Sequence, residues 1–272
     1  MRSLRSSVAL LLAAALLLGL AACGRSAQTA DASPAEDQQT PAAEAQTPAV
    51  PDTPSSLEKK ELVTGQLTLH YWLYTPKNAT DAMPLFIYLH GAYARGDDLD
   101  ALLETEGLPK CLSDGTLGDV PAYILIPQLS LDHYNWMDIE DSLKTLIDTT
   151  ESACKIDKSR VSLSGHSIGG IGTWDFAVDC PDMFARIAPL SGSVTTDAAT
   201  LSALKNVSVW AFVGSADTNI PPDSSEALVQ ALKAQGSDAR ITVLDGAAHR
   251  DVPVLAFGDA TDGLMAWLAF ES

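Results

Sequence analysis

Apolar residues are distributed along this chain in three regimes. From Val8 to Leu20 they are nearly unbroken behind Arg2 and Arg5, the layout of a secretory leader rather than of a folded element. From Gly24 to about Ser56 large apolar residues almost vanish in favour of Ala, Pro, Thr, Gln, Asp and Glu. Such a composition buries too little to offset chain entropy and predicts a disordered spacer. From Leu57 onward apolar residues recur in short blocks. Gln66 to Tyr74 alternates like a half-buried antiparallel strand, and Thr75-Pro76 ends it. Leu85 to Leu89 and Ala122 to Ile126 are continuous runs, as expected of strands buried on both faces, and Val161–Ser164, Ile187–Leu190, Val207–Val213 and Ala239–Leu244 predict four more. Helical spacing lies between them: Ile139, Leu143, Leu146 and Ile147 within Asp138–Ser152, a capped segment Ser224–Ala234, and a closing helix Phe257–Phe270. Strands alternating with helices at this interval predict an α/β fold, a mainly parallel sheet with helices on both faces. The sixteen residues between Leu190 and Val207 are too few for a large cap domain.

The leader ends in Leu20-Ala21-Ala22-Cys23, which resembles the lipobox of bacterial lipoproteins at all four positions. The resemblance implies cleavage before Cys23 and lipidation of that cysteine. The organisation expected is then a lipoprotein signal peptide (1–22), a linker (23–56) and one α/β domain (57–272), held on the outer side of a bacterial membrane by acyl chains rather than by a spanning helix. Charge narrows the partners. Seventeen Lys and Arg against 35 Asp and Glu give −18, and losing Arg2 and Arg5 with the leader gives 15 − 35 = −20. Nucleic acid and anionic lipid surfaces would be repelled. The four cysteines form no CxxC or Cys/His cluster, so no metal site is expected. With Cys23 used by the anchor, Cys111, Cys154 and Cys180 permit one disulfide at most, or free thiols.

The candidate chemistry sits where the Val161–Ser164 strand runs into Gly165-His166-Ser167-Ile168-Gly169-Gly170. A Gly-x-Ser-x-Gly turn between strand and helix lifts its serine hydroxyl above the sheet, and the glycines permit an approach that a Cβ would block. Ser167 is therefore the candidate nucleophile. It needs a base and a group to orient that base. His249, just past the last predicted strand, is the single histidine after Ser167. Asp217 follows the preceding strand, four residues beyond Val213. Its rivals fit other tasks: Asp245 begins a tight Asp-Gly turn, Asp223 stands at a helix start, and Asp251 is too near His249 in sequence to reach the far side of its ring.

Three blocks carry a wider resemblance: Leu89-His90-Gly91-Ala92-Tyr93-Ala94-Arg95-Gly96-Asp97; Pro127-Gln128; and Gly165 to Trp174 continued by Pro181 to Phe184. From about Leu67 to Trp267 the chain resembles the α/β-hydrolase superfamily, in particular its dienelactone-hydrolase-like and phospholipase/carboxylesterase-like secreted esterases and predicted peptidases. Tyr93 stands where related sequences commonly have a second glycine. The resemblance implies backbone oxyanion donors at Ala92 and Ile168, no cofactor, and His90 as a prop for its turn. Tyr93, His166, His133 and Trp136 are candidate pocket-lining residues, with packing roles as the alternative. The leading expectation is a lipid-anchored serine hydrolase of carboxylic esters. A prolyl-oligopeptidase-like serine peptidase would need the same residues, and a tethered binding protein would need none of them.

Overall fold

The computed structural model describes residues 53–65, 67–258 and 263–271. Cys23, the leader and most of the expected spacer lie outside the described residues, as does Gln66 at the start of the first predicted strand. The described chain opens with two antiparallel strands, β1 (Ser56–Thr64) and β2 (Leu67–Thr75). Six more follow: β3 (Leu85–Leu89), β4 (Tyr123–Gln128), β5 (Val161–His166), β6 (Arg186–Leu190), β7 (Ser208–Gly214) and β8 (Ala239–Leu244). They form one sheet in the order β1-β2-β4-β3-β5-β6-β7-β8. β2 pairs antiparallel with β4, and every pairing from β4 to β8 is parallel.

The continuous apolar runs are explained by cover on both faces. In β3, Leu85, Ile87 and Leu89 belong to one core while Phe86 and Tyr88 belong to the other, and all five are fully buried. The first core takes its helical cover from α3 (Glu140–Ala153), α4 (Ile168–Asp179) and α6 (Asp223–Ala234). The second is covered by α1 (Leu99–Thr105), α2 (Gly107–Ser113), α7 (Asp251–Phe257) and α8 (Leu264–Leu268). Between β6 and β7 there is a six-residue helix, α5 (Ala198–Ala203), and a 3-10 turn, Leu204–Asn206.

Several elements differ from the sequence expectation. β1 was hidden by its charges: Glu58, Lys59, Lys60 and Glu61 mask an alternation that the strand uses on an open sheet edge, where charge discourages pairing with another chain. Thr53, within the stretch expected to be spacer, exchanges hydrogen bonds of 2.7 and 2.9 Å with Asn78, so contacts with the domain begin earlier than predicted. Of the expected closing helix Phe257–Phe270 the described residues form α8, preceded by Gly263 at φ +86°, whereas Phe257 ends a separate earlier helix, α7, which Gly258 caps in extended conformation; residues 259–262 lie outside the described residues.

The strand-to-helix turn at β5–α4 rests on two glycines. A Cβ at Gly169 would lie 2.0 Å from the Leu89 carbonyl oxygen, and one at Gly165 would lie 2.5 Å from that of Gly169. Both obstacles are backbone and cannot swing aside. Gly169→Ala is expected to cost about 3 kcal/mol, measured by urea unfolding; a variant as stable as the parent would mean that α4 can slide off β3.

Candidate active site

Ser167 occupies a backbone conformation that L-residues rarely adopt, φ 58° and ψ −118°, between the last residue of β5 and the first of α4. Its N–H donates to the Leu190 carbonyl at 3.0 Å, which pins the turn to the end of β6. The strain is thus held by strand pairing on one side and close glycine packing on the other. Asp217 and His249 come from the next two strand ends. Their loops are joined: Ser215 N–H donates to Leu244 O and Ala216 N–H to Ala247 O, each at 3.0 Å, and Gly214 packs so closely that a Cβ would lie 2.2 Å from Ala247 O.

The side chains then meet in line. His249 Nε2 is 2.8 Å from Ser167 Oγ, and His249 Nδ1 is 2.8 Å from Asp217 Oδ2. Asp217 Oδ1 accepts the N–H groups of Asn219 and Ile220 at 2.9 and 3.0 Å. Burial by itself would raise the Asp217 carboxyl, but the Ile220 amide and His249 outweigh it and hold it below the usual carboxylate value. Because the carboxylate has only lone pairs to offer, Nδ1 must carry a proton, leaving Nε2 free to accept the serine proton. The rival carboxylates are engaged elsewhere: Asp245 accepts the Ser215 hydroxyl at 3.4 Å, Asp251 accepts Ala248 N–H at 2.9 Å, and Asp223 is the first residue of α6.

Ala92 opens a 3-10 turn (Ala92–Ala94) and Ile168 opens α4, positions at which an N–H finds no acceptor inside its own helix. Tyr93 adopts negative φ in that turn, so the conformation does not require the glycine found in related sequences. His90 supports it from beneath. Nε2 accepts Leu129 N–H at 2.9 Å and Nδ1 donates to Gly91 O at 2.7 Å, a neutral ring that burial pushes down to about 4. Trp136 is not pocket lining. It is 1% exposed, its indole N–H donates to His90 O at 3.1 Å, and its ring meets His90 edge-on, so it belongs to the core beneath the turn. His133 lines a separate groove with Asp132, Met137 and Asp138, away from the serine. Tyr93 and His166 do line one cavity, of about 180 Å³, with Thr105, Glu106, Arg250, Pro253 and Val254.

Glu106 escaped the sequence reading. It is 4% exposed in the junction between α1 and α2, accepts Gly91 N–H at 3.0 Å and Tyr88 O–H at 3.2 Å, and burial pushes it up to about 7. The one local signal is Gly107, whose Cβ would lie 2.7 Å from the Pro253 backbone and which therefore marks a close contact with α7. His166 is also buried; its Nε2 is 2.9 Å from His249 O, its ring lies 4.7 Å from that of His249, and burial pushes it down to about 4. Cys111, Cys154 and Cys180 are free thiols. Among the described residues, no His/Cys/Asp/Glu group could hold a metal ion, and no helix is long and apolar enough to cross a membrane.

Residues 130–250 match the model of the dienelactone hydrolase family. A comparison with curated proteins finds no match. Among solved structures, a thermostable esterase is similar with a TM-score of 0.63 at 21% identity, over 78% of this chain and 62% of that one. The present chain thus spans less than two thirds of that esterase. The feruloyl esterase module from Clostridium thermocellum complexed with sinapinate gives 0.58 at 18% identity, over 75% and 88%. The S-formylglutathione hydrolase from Staphylococcus aureus gives 0.61 at 13% identity, over 80% and 98%. At these identities the likeness establishes the fold.

The buried titratable groups set a pH dependence of stability. His90 and His166 fall from 6.5 to about 4 on folding, so the unfolded chain binds their protons first and stability is lost as pH drops from 6.5 toward 4. Glu106 rises from 4.5 to about 7, so its contribution has the opposite sign: present below 4.5 and lost as pH rises through 7. Two groups oppose one. The melting temperature should fall between pH 6.5 and 4.5, and Glu106→Gln should steepen that fall by removing the opposing group. Parallel melting curves for the two proteins would show that Glu106 titrates like an exposed carboxyl.

Proposed function

We propose that this chain, which has the α/β-hydrolase fold, is a serine esterase that cleaves carboxylic esters outside the cytoplasm while tethered through a lipid on Cys23. The observation that carries the reading is the unbroken relay Ser167–His249–Asp217, two contacts of 2.8 Å at a strained strand-to-helix turn. Ser167 Oγ attacks the ester carbonyl as its proton passes to His249 Nε2. The resulting oxyanion takes hydrogen bonds from the N–H groups of Ala92 and Ile168, helped by the positive end of α4. Asp217 holds the charged imidazole, which returns the proton to the departing alcohol. Water then repeats the sequence on the acyl-enzyme.

Among the described residues the β6–β7 connection adds only α5 and a 3-10 turn and no apolar lid, so small or polymer-borne esters suit the site better than an oil surface. Ser167→Ala should stay folded and lose roughly 10³-fold or more in turnover. Asp217→Asn should favour the wrong tautomer and damage turnover far more than Asp223→Asn, Asp245→Asn or Asp251→Asn. A screen of aryl esters, acetylated sugars, feruloyl esters and peptides reads both the activity and its leaving group. Turnover unchanged in purified Ser167→Ala would end the nucleophile assignment, and turnover of peptides alone would replace esterase by peptidase.

The tether has its own test. Cys23→Ser should move the protein from the membrane to the soluble fraction at unchanged specific activity, because the anchor lies outside the catalytic domain. Fatty-acid labelling that persists in the mutant would reject lipidation at Cys23.

A further inference from the structure

We infer that Glu106 is a positioning residue of the active centre, a neutral carboxyl that clamps the Gly91–Ala92 turn and, with His166, sets where that turn lies against the His249 backbone. The inference rests on the serine-hydrolase reading above. Glu106 is almost wholly buried, yet none of its polar contacts is a Lys or Arg. Leaving an ionised carboxylate there would be costly, because its two donors, the Gly91 amide and the Tyr88 hydroxyl, are uncharged and only partly offset the loss of water. The third neighbour agrees. His166 Nε2 faces the His249 carbonyl at 2.9 Å and must donate to it, so the neutral ring keeps a lone pair on Nδ1, and that lone pair faces Glu106 Oε2 at 3.9 Å. A carboxylate would repel it; a carboxylic acid would not.

The geometry runs from this pair to the reacting atoms in one step each way. Gly91 is held between them: a Cβ there would lie 3.1 Å from His166 Nδ1 and 3.2 Å from Glu106 Oε1. The next residue is Ala92, the proposed oxyanion donor. On the other side, His166 holds the main chain of His249, whose ring lies 4.7 Å away. Gly107 packs on Pro253 in α7, which fixes Glu106 to the element that follows His249. The hydrogen bonds of Glu106 go to Gly91 and Tyr88 rather than to Ser167 or His249. It acts by keeping the Ala92 N–H aimed, an interaction realised in the transition state rather than in substrate binding.

Steady-state hydrolysis of p-nitrophenyl acetate by the purified full-length protein tests this. Glu106→Leu removes the acceptor for Gly91 N–H and should lower kcat tenfold or more with KM within twofold. Glu106→Asp keeps the acid but withdraws it by one methylene, and should lose kcat in the same way; it also decides the matter if the leucine variant does not fold. Glu106→Gln reproduces an uncharged acceptor, the Tyr88 hydroxyl reversing its role toward the amide nitrogen, and should recover most of the lost kcat. The inference is overturned if leucine and aspartate variants retain full kcat, if their loss appears in KM instead, or if glutamine is as damaging as leucine. Fluorophosphonate labelling of the parent protein separates the two levels. A parent that neither labels at Ser167 nor turns over ester fails as a serine hydrolase, whereas a parent that does both beside a fully active Glu106→Leu fails this inference alone.

Discussion

The approach of α4 to β3 constrains everything above it. The Leu89 carbonyl occupies the space that a side chain at position 169 would need, so the helix start can sit over the sheet only because Gly169 has none. That contact fixes where α4 begins, and with it the turn that holds Ser167 at φ 58°. Since β3 is also the strand that leads into His90 and Gly91, one strand serves both the turn bearing Ala92 and the helix bearing Ile168.

Charge around this point is handled by exclusion. His90 and His166 are kept neutral by burial and spend both ring nitrogens on main-chain or facing groups, while the Asp217 carboxyl is held down, against its burial, by the Ile220 amide and by His249. The arrangement leaves a single imidazole, that of His249, flanked by a carboxylate on one side and a hydroxyl on the other. A strongly acidic chain thus keeps a site in which only one anion touches the relay.

The parallel core and the three converging side chains were legible because their signals are local. Leu85–Leu89 and Val161–Ser164 are unbroken apolar runs, the glycines at 165 and 169 mark a turn, and Asp217 and His249 each fall just past a strand end. What escaped depends on partners remote in sequence. β1 reads as a solvated charge run until its pairing with β2 is known. Trp136, flanked by Asn135 and Asp138, looks like loop lining, but a distant carbonyl at His90 draws its indole inward. Glu106 offers no signal beyond the neighbouring Gly107, because a buried acid between two seven-residue helices is defined by the residues that surround it.

The backbone bonds between the Asp217 and His249 loops make acid and base parts of one body. The serine's turn is joined to that body through the sheet: it is pinned to the end of β6, which pairs with β7, and Ser191 N–H donates to Phe212 O at 2.8 Å. Among the hydrogen bonds of the described residues, apart from the serine–imidazole contact itself, the His166 side chain is what bridges the turn bearing Ser167 to the chain at His249. The serine is therefore registered to its acid and base by the parallel strands beneath them, and the relay's own two hydrogen bonds do not have to hold the three loops together.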